Sequence, residues 1–353
     1  MDGVAMSAEL TLSARYARVV GRRSALLAAL GALTLVAFVA DLATGAAGLP
    51  LAEVLRGLVE PGSLGRADRV VLWEIRLPAA TMALAVGAAL GLAGAEMQTA
   101  LANPLASPFT LGVAHAATLG ASLAIVWGFA APGVGGAWSL PVMAFAFAMA
   151  ATLLVQGLAA RQGAGAQTVV LFGIALGFAA NALLWLVQYL ASADAVQQIV
   201  FWSMGSLARA TWAHVGLVSA ALALCLPLAL RRAWAMTALR AGEEHARAIG
   251  IGVEGLRLAV LARVSVLAAV AVAFVGTIGF VGLVAPHVAR MLLGEDHRFL
   301  LPGAALAGAL MLSLASLASK AITPGTLLPV GIVTAIVGIP MFLGLLLVQG
   351  RRR

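Results

Sequence analysis

Apolar residues in this chain come in runs far longer than a globular core uses, and the charges collect in the gaps between them. Runs free of Asp, Glu, Lys and Arg cover residues 77–95, 97–160, 162–193, 210–230, 264–289, 299–319 and 321–350. A helix crossing the hydrocarbon layer needs about 20 such residues. The 97–160 run is long enough for two, and Pro132-Gly133 and Gly135-Gly136 divide it. With a first run at 24–44, the pattern predicts about ten transmembrane helices, at 24–44, 77–97, 109–130, 139–160, 168–190, 211–230, 256–277, 278–293, 299–319 and 329–349. The expected fold is therefore all-α, one polytopic domain over 24–350 with a charged amino-terminal segment, 1–23. Arg15, Arg18, Arg22 and Arg23 before an apolar run could mark a signal peptide, but the run is long and more spans follow. An uncleaved first span is the expectation.

Composition agrees: 62% of residues are hydrophobic and 10% charged, with a mean hydropathy of +1.04, so a bilayer is the expected solvent. Ten spans put the amino-terminal arginines, Arg161, Arg231, Arg232, Arg240, Arg247, Arg257 and the tail Arg351-Arg352-Arg353 on one side. The positive-inside rule makes that side cytoplasmic, with both termini inside. On the other side, Arg56, Arg66 and Arg69 are offset by Glu53, Glu60, Asp68 and Glu74. The net charge of +8 thus reflects topology, and no nucleic-acid partner is expected. Cys225 is the only cysteine, which excludes an internal disulfide. Gly87, Gly91 and Gly94, spaced by four and three, form a small-residue face suited to close helix packing. Gly303, Ala307 and Gly308 offer a second one.

A few polar residues stand out against this background. The compact charged island at 239–250 lies inside a predicted cytoplasmic loop, 231–255. Glu243 and Glu244 open a short helix and Arg247 follows one turn later, an order that suits the helix dipole and an ion pair along the helix. Gly242 and Gly250 punctuate its ends. The island is a handle for a soluble partner or else a solvated loop without one. Glu96 and Arg263 fall at similar depth in two spans and are expected to pair, a contact to substrate being the other reading. His115 and His287 have no second ligand at i+3 or i+4, so satisfied helix residues are expected and no metal site. Phe201, Trp202 and Trp212 fit an aromatic belt at the outer membrane surface. Asn103-Pro104 breaks a span, and such backbone is tolerated at depth only when buried or lining a cavity. Asn103 could equally cap a helix.

Four motifs recur in order: Arg76-Leu77-Pro78 leading to Glu96-Met97-Gln98 and Asn103-Pro104-Leu105-Ala106-Ser107-Pro108; Trp202-Ser203-Met204-Gly205-Ser206-Leu207; the charged island; and Gly279-Phe280-Val281-Gly282-Leu283-Val284-Ala285-Pro286-His287 with Asp296-His297-Arg298 and Pro329-Val330-Gly331. Over about 70–348 the chain resembles the FecCD-type, BtuC-like permeases, membrane subunits of type II ABC importers for ferric siderophores, haem and vitamin B12. The resemblance implies a dimer with a second copy or a paralogue, two ATPase subunits and an extracytoplasmic substrate-binding protein. Gly242, Glu243, Glu244, Arg247 and Gly250 then belong to the ATPase-coupling loop. Asn103 and Leu105, with the turn at Ala166 and Gln167, correspond to a cytoplasmic gate. Arg76 and Lys320 correspond to outer charges that dock the binding protein. Ala79, Ser316 and Leu327 depart from the arginine, acid and glutamate that the resemblance leads one to expect.

A P-loop needs Lys followed by Ser or Thr, and the only lysine here, Lys320, precedes Ala321. ATP and Mg are accordingly expected on the ATPase, with no cofactor and no enzymatic activity in this chain. The expected function is import of a ferric siderophore, with haem, cobalamin or molybdate as alternatives. A secondary transporter would need acids in mid-span, where only Glu96 is read. An intramembrane hydrolase would need motifs such as His-Glu-x-x-His or Gly-x-Ser-Gly, which the chain lacks.

Overall fold

In the computed structural model, residues 2–45, 48–129, 136–163, 165–322 and 328–350 are described, and every regular element among them is helical. In chain order these are α1 (Asp2–Ala43), α2 (Leu51–Val59), α3 (Arg66–Val70), α4 (Leu77–Ala100), α5 (Val113–Trp127), α6 (Ser139–Arg161), α7 (Ala166–Leu190), α8 (Ala193–Ser203), α9 (Trp212–Arg231), α10 (Ala233–Arg240), α11 (Glu243–Ala248), α12 (Val253–Val275), α13 (Val281–Leu293), α14 (His297–Ala321) and α15 (Val330–Gly350). Among the described residues, α1, α4, α6, α7, α9, α12 and α14 contain stretches long and apolar enough to cross a membrane. Three shorter apolar helices, α5, α13 and α15, accompany them. The chain is a multi-pass membrane protein.

Residues 2–23 and the first apolar run form one continuous helix, α1, because nothing between Asp2 and Ala43 breaks the backbone. Leu327 and the Arg351–Arg353 tail lie outside the described residues.

α4 forms the axis of the bundle, buried on nearly all sides, as a helix apolar all round should be. α14 runs along it at backbone contact: a methyl group at Gly91 would collide with the Ala304 carbonyl, and one at Gly308 with the Gly87 carbonyl. Gly94 meets the Gly282 carbonyl of α13 in the same way. In lipid, where apolar surface alone does not drive association, such close approach supplies the dispersion energy. Gly303 takes no part in this seam; it faces Leu293 and Leu27 instead. α7 lies at the edge, with Leu171, Ile174, Phe178, Trp185 and Leu186 exposed, a surface for lipid or a second membrane subunit.

Between α12 and α13 the chain leaves the helical path, with Gly276 and Phe280 at φ 77° and 66°. Ser206 N–H donates to the Val275 carbonyl at 2.7 Å, and Thr277 Oγ1 donates to the Ser203 carbonyl. The irregular backbone is thus satisfied from the α8–α9 connection. Trp202, on α8, is 2% exposed and packs in the core, not in a surface belt. The cause is α8 itself, which lies so close to α12 that Gly276 abuts the Trp202 carbonyl. Phe201 and Trp212 are exposed, and Trp212 Nε1 donates to the Trp73 carbonyl at 2.9 Å.

Candidate functional site: the charged island and the broken end of α4

The island folds as α10 and α11, joined at Gly242, whose φ of 129° favours glycine. Gly250, at φ 85°, closes the other end. α11 buries Ala246 against the bundle and exposes Glu244, His245, Arg247 and Ile249. Arg247 donates to Glu254 at 2.7 Å and to Glu243 at 3.4 Å, and the Glu254 contact holds its guanidinium above its ordinary range. Glu243, with its side chain 35% exposed, also pairs with Arg257, which is 2% exposed. The first acid of the island therefore links surface to interior, and Glu244 with Arg247 and Ile249 complete the exposed face.

Arg257 reaches further. Its Nε donates to the Ala100 carbonyl at 2.9 Å, on the last residue of α4. Two more links meet the preceding residues. His297, fully buried, sits 2.8 Å from Thr99 Oγ1 through Nε2 and 3.1 Å from Thr237 Oγ1 of α10 through Nδ1. Arg240 of α10 donates to Glu295 at 3.2 and 3.3 Å, Arg290 donates to Glu295 at 3.1 Å, and Arg290 Nη1 donates to Gln98 Oε1 at 3.2 Å. Burial alone would raise the Glu295 carboxyl, but the Arg290 and Arg240 charges outweigh it and hold it below the ordinary range.

α4 stops in a Schellman arrangement: Asn103 N–H donates to the Gln98 carbonyl at 3.0 Å and Ala102 N–H to the Thr99 carbonyl at 3.1 Å. Ala102 occupies the left-handed position at φ 47°, where glycine is usual. Asn103 does not cap a helix. Its Oδ1 accepts from Leu105 N–H at 2.9 Å, a turn that holds Leu105 44% exposed beyond the break. Ala166 packs on the core that includes Ala106 and Val113, while Gln167 is exposed in the first turn of α7. No hydrogen bond joins either one to Asn103 or Leu105 among the described residues.

One turn above, the structure brings Glu96 and Arg263 together. Arg263 Nε donates to both carboxylate oxygens, at 3.0 and 3.2 Å, and Nη2 donates to Oε1. Glu96 is fully buried. No three His, Cys, Asp or Glu side chains converge as a metal site among the described residues, His115 and His287 included.

The opposite end of the bundle corrects another expectation. Arg76 is not an exposed docking charge; it is 5% exposed and donates to the Leu42 and Ala43 carbonyls at 2.9 and 3.3 Å, closing the end of α1. Lys320 is turned inward as well, donating to Asp41 Oδ1 at 2.8 Å and to its carbonyl at 3.0 Å. Asp41, 1% exposed, is an acid inside an apolar run that the sequence reading passed over. Ser316, standing where an acid was expected, donates to Asp41 Oδ2 at 3.0 Å. The counter-charge to Lys320 comes across the α1–α14 seam and not from its own helix. Arg66, Arg69 and Arg209 are the exposed cations of this end without an ion pair among the described residues. Arg209 edges a cleft of about 510 Å³ with Gln197, Gln198, Phe201 and Ser206. A separate, more apolar hollow of about 390 Å³ lies along α15 at Gly331, Ala335, Ile336 and Ile339.

This architecture has known counterparts. A sequence model described as the FecCD transport family matches residues 33–348, most of the chain. The chain belongs to the FecCD transport family. Among curated FecCD relatives, the hemin transport system permease protein HmuU of Yersinia pestis is 36% identical over 283 residues, covering 80% of this chain and 85% of that protein. The vitamin B12 import system permease protein BtuC of Escherichia coli is 35% identical over 284 residues, covering 79% and 84%. A solved structure of an inward-facing metal-chelate type ABC transporter superposes with a TM-score of 0.81 at 30% identity, over 92% of this chain and 99% of that one. As a FecCD member, this chain is an ABC importer permease, a transport subunit whose ATPase is a separate polypeptide.

Proposed function

We propose that this permease takes a ferric siderophore from a substrate-binding protein at the Arg209 end and releases it into the bacterial cytoplasm at the island end. Two copies, or one copy and a paralogue, would enclose the path, and two ATPase subunits carrying ATP and Mg would dock on the islands. The observation that carries this reading is the exposed face of α11, held by buried polar contacts beside the point where α4 breaks. A solvated loop without a partner would need no such anchoring. Relatives named for hemin, vitamin B12 and metal chelates share a cargo in which a metal is wrapped in a large organic ligand. The hollow along α15, lined mostly by apolar side chains, suits the organic surface of such a ligand. With Arg76 and Lys320 internally paired, Arg66, Arg69 and Arg209 are the cations offered to acidic groups of the binding protein.

The alternative of a secondary transporter is disfavoured by Asp41 and Glu96. Both acids are buried within spans and each is bonded to a cation, Lys320 and Arg263, which accounts for both as structural charges. The deciding experiment is uptake by proteoliposomes that hold the permease with its ATPase and binding protein, offered ferric siderophores, haem and cobalamin. Uptake of the siderophore complex that requires internal ATP supports the proposal. Uptake of haem or cobalamin alone would move the substrate, and uptake driven by an ion gradient without ATP would sink the importer reading.

A further inference from the structure

Three polar chains start on the short α10–α11 segment and end on three consecutive residues of α4. Arg240 leads through Glu295 and Arg290 to Gln98. Thr237 leads through His297 to Thr99. Glu243 leads through Arg257 to the Ala100 carbonyl. Three of the intermediates are shielded from water, Arg257 and His297 at 2% and 0% exposed and the Arg290 side chain at 14%, while the Glu295 side chain, at 41%, reaches it. Where water cannot replace a broken contact, pulling such a chain apart strands a buried polar or charged group. The segment and the last turn of α4 therefore cannot slide past each other one contact at a time. Immediately beyond the anchored residues the helix ends, at a left-handed Ala102, and Pro104 prevents it from resuming. A rigid attachment is followed at once by a break.

We propose that Arg257, His297 and Arg290 are positioning residues that join α10–α11 and the last turn of α4 into one lever, hinged at Ala102–Asn103–Pro104. A displacement of α11 by the ATPase is carried to Ala100 and swings Leu105 at the cytoplasmic mouth. Arg257 carries most of this load, because it connects α11 itself to the backbone of α4. A lysine in its place could hold the Glu243 carboxylate or the Ala100 carbonyl, but it lacks the planar fork that serves both. The inference rests on the reading that the island docks an ATPase.

The test uses the full complex of permease, ATPase and binding protein in proteoliposomes, loaded with the siderophore that the uptake assay selects. Arg257→Lys, Glu243→Gln and Thr99→Val are compared with the native chain, and Thr99→Ser serves as the rescue that restores the hydroxyl. The expected result is a complex that assembles and hydrolyses ATP while chelate moved per ATP falls about 5- to 150-fold, the usual span of coupling between two sites. Thr99→Ser should regain native coupling. A second reading uses spin labels at Leu105 and Gln162, in a Cys225→Ala background, to follow the width of the mouth. The native chain should show a nucleotide-dependent change in that distance, and Arg257→Lys and Glu243→Gln should lose it. Glu243→Gln, on the wetter side of the pair, keeps the test open should Arg257→Lys fail to fold. Native coupling with a native distance change in both variants overturns the lever, as does a mouth that never responds to nucleotide in the native chain. A native chain that binds no ATPase overturns the docking reading itself, a distinguishable result.

Discussion

A carboxylate and a guanidinium buried together cost several kcal/mol each in lost hydration, and the contact repays this only while both remain. Glu96 and Arg263 are in that position, so Glu96→Ala or Arg263→Ala alone should cost about 3–5 kcal/mol of stability, while Glu96→Leu with Arg263→Leu recovers most of it. Thermal unfolding of the purified single and double variants in detergent measures this, and equal losses in all three would contradict it. At the other end, burial changes what the arginines can do. Arg76→Ala should lower folded yield and leave the salt dependence of binding-protein association as it was, since Arg76 serves the end of α1. Arg209→Ala should do the reverse, slowing association and flattening its salt dependence, as removal of an exposed rim charge does. Stopped-flow association across a salt series separates the two outcomes. The loop carboxylates at the island end add a pH dependence. Asp296, through its hydrogen bonds from Arg298, and Glu295, through Arg290 and Arg240 despite its burial, are both held below the ordinary carboxylate range. Their contribution is complete above that range and is lost as pH falls through the depressed folded values. Glu295→Gln should accordingly lessen the acid sensitivity of unfolding; an unchanged acid limb would show that other groups set it.

Helices α4 and α14 meet backbone to backbone, so their seam has no room for growth. Gly91→Ala forces a methyl group into the Ala304 carbonyl and should cost about 1–3 kcal/mol or prevent insertion altogether, the penalty of overpacking. Gly216→Ala, on α9 with open space around it, is the control and should be neutral within about 0.5 kcal/mol. Folded yield and unfolding temperature of the two variants give the comparison. The break after α4 behaves differently. A left-handed alanine costs roughly 1–2 kcal/mol relative to a residue without a Cβ. Ala102→Gly should therefore stabilise the resting stop of the helix, unless the added unfolded-chain entropy of glycine cancels the gain. A loss of stability would mean that Ala102 is not strained.

Taken whole, the molecule is a transport subunit whose ATPase is a separate polypeptide. The purified permease should hydrolyse no ATP at any chelate concentration and should acquire hydrolysis only with its ATPase. Sustained turnover by the chain alone, after removal of contaminating ATPases, would refute that division of labour. The exposed apolar band of α7 faces lipid or a second membrane subunit, and cross-linking through α7 in native membranes separates the two, with capture of a second permease chain the expected outcome.

Membrane helices are the most legible elements a sequence can hold, because each run must bury its own backbone hydrogen bonds and nearly every residue along it must tolerate lipid or a neighbouring helix. The all-helical fold, the small-residue face of Gly87, Gly91 and Gly94 and the matched depth of Glu96 and Arg263 follow from that one-dimensional constraint. Partnership is another matter. Whether Arg76 faces water or the end of α1, whether Lys320 finds its acid at position 316 or at Asp41, and whether Glu243 points to a partner or to Arg257 depend on how distant helices lie against one another. Asp41 and Lys320 are separated by nearly the whole chain, and no local pattern relates them. A charge at a span end reads the same in sequence whether it snorkels outward or is capped from within, and only packing distinguishes the two. The linear sequence determined that the chain is a bundle of membrane helices; the tertiary structure alone decided which of its few charges remain free to act on anything outside it.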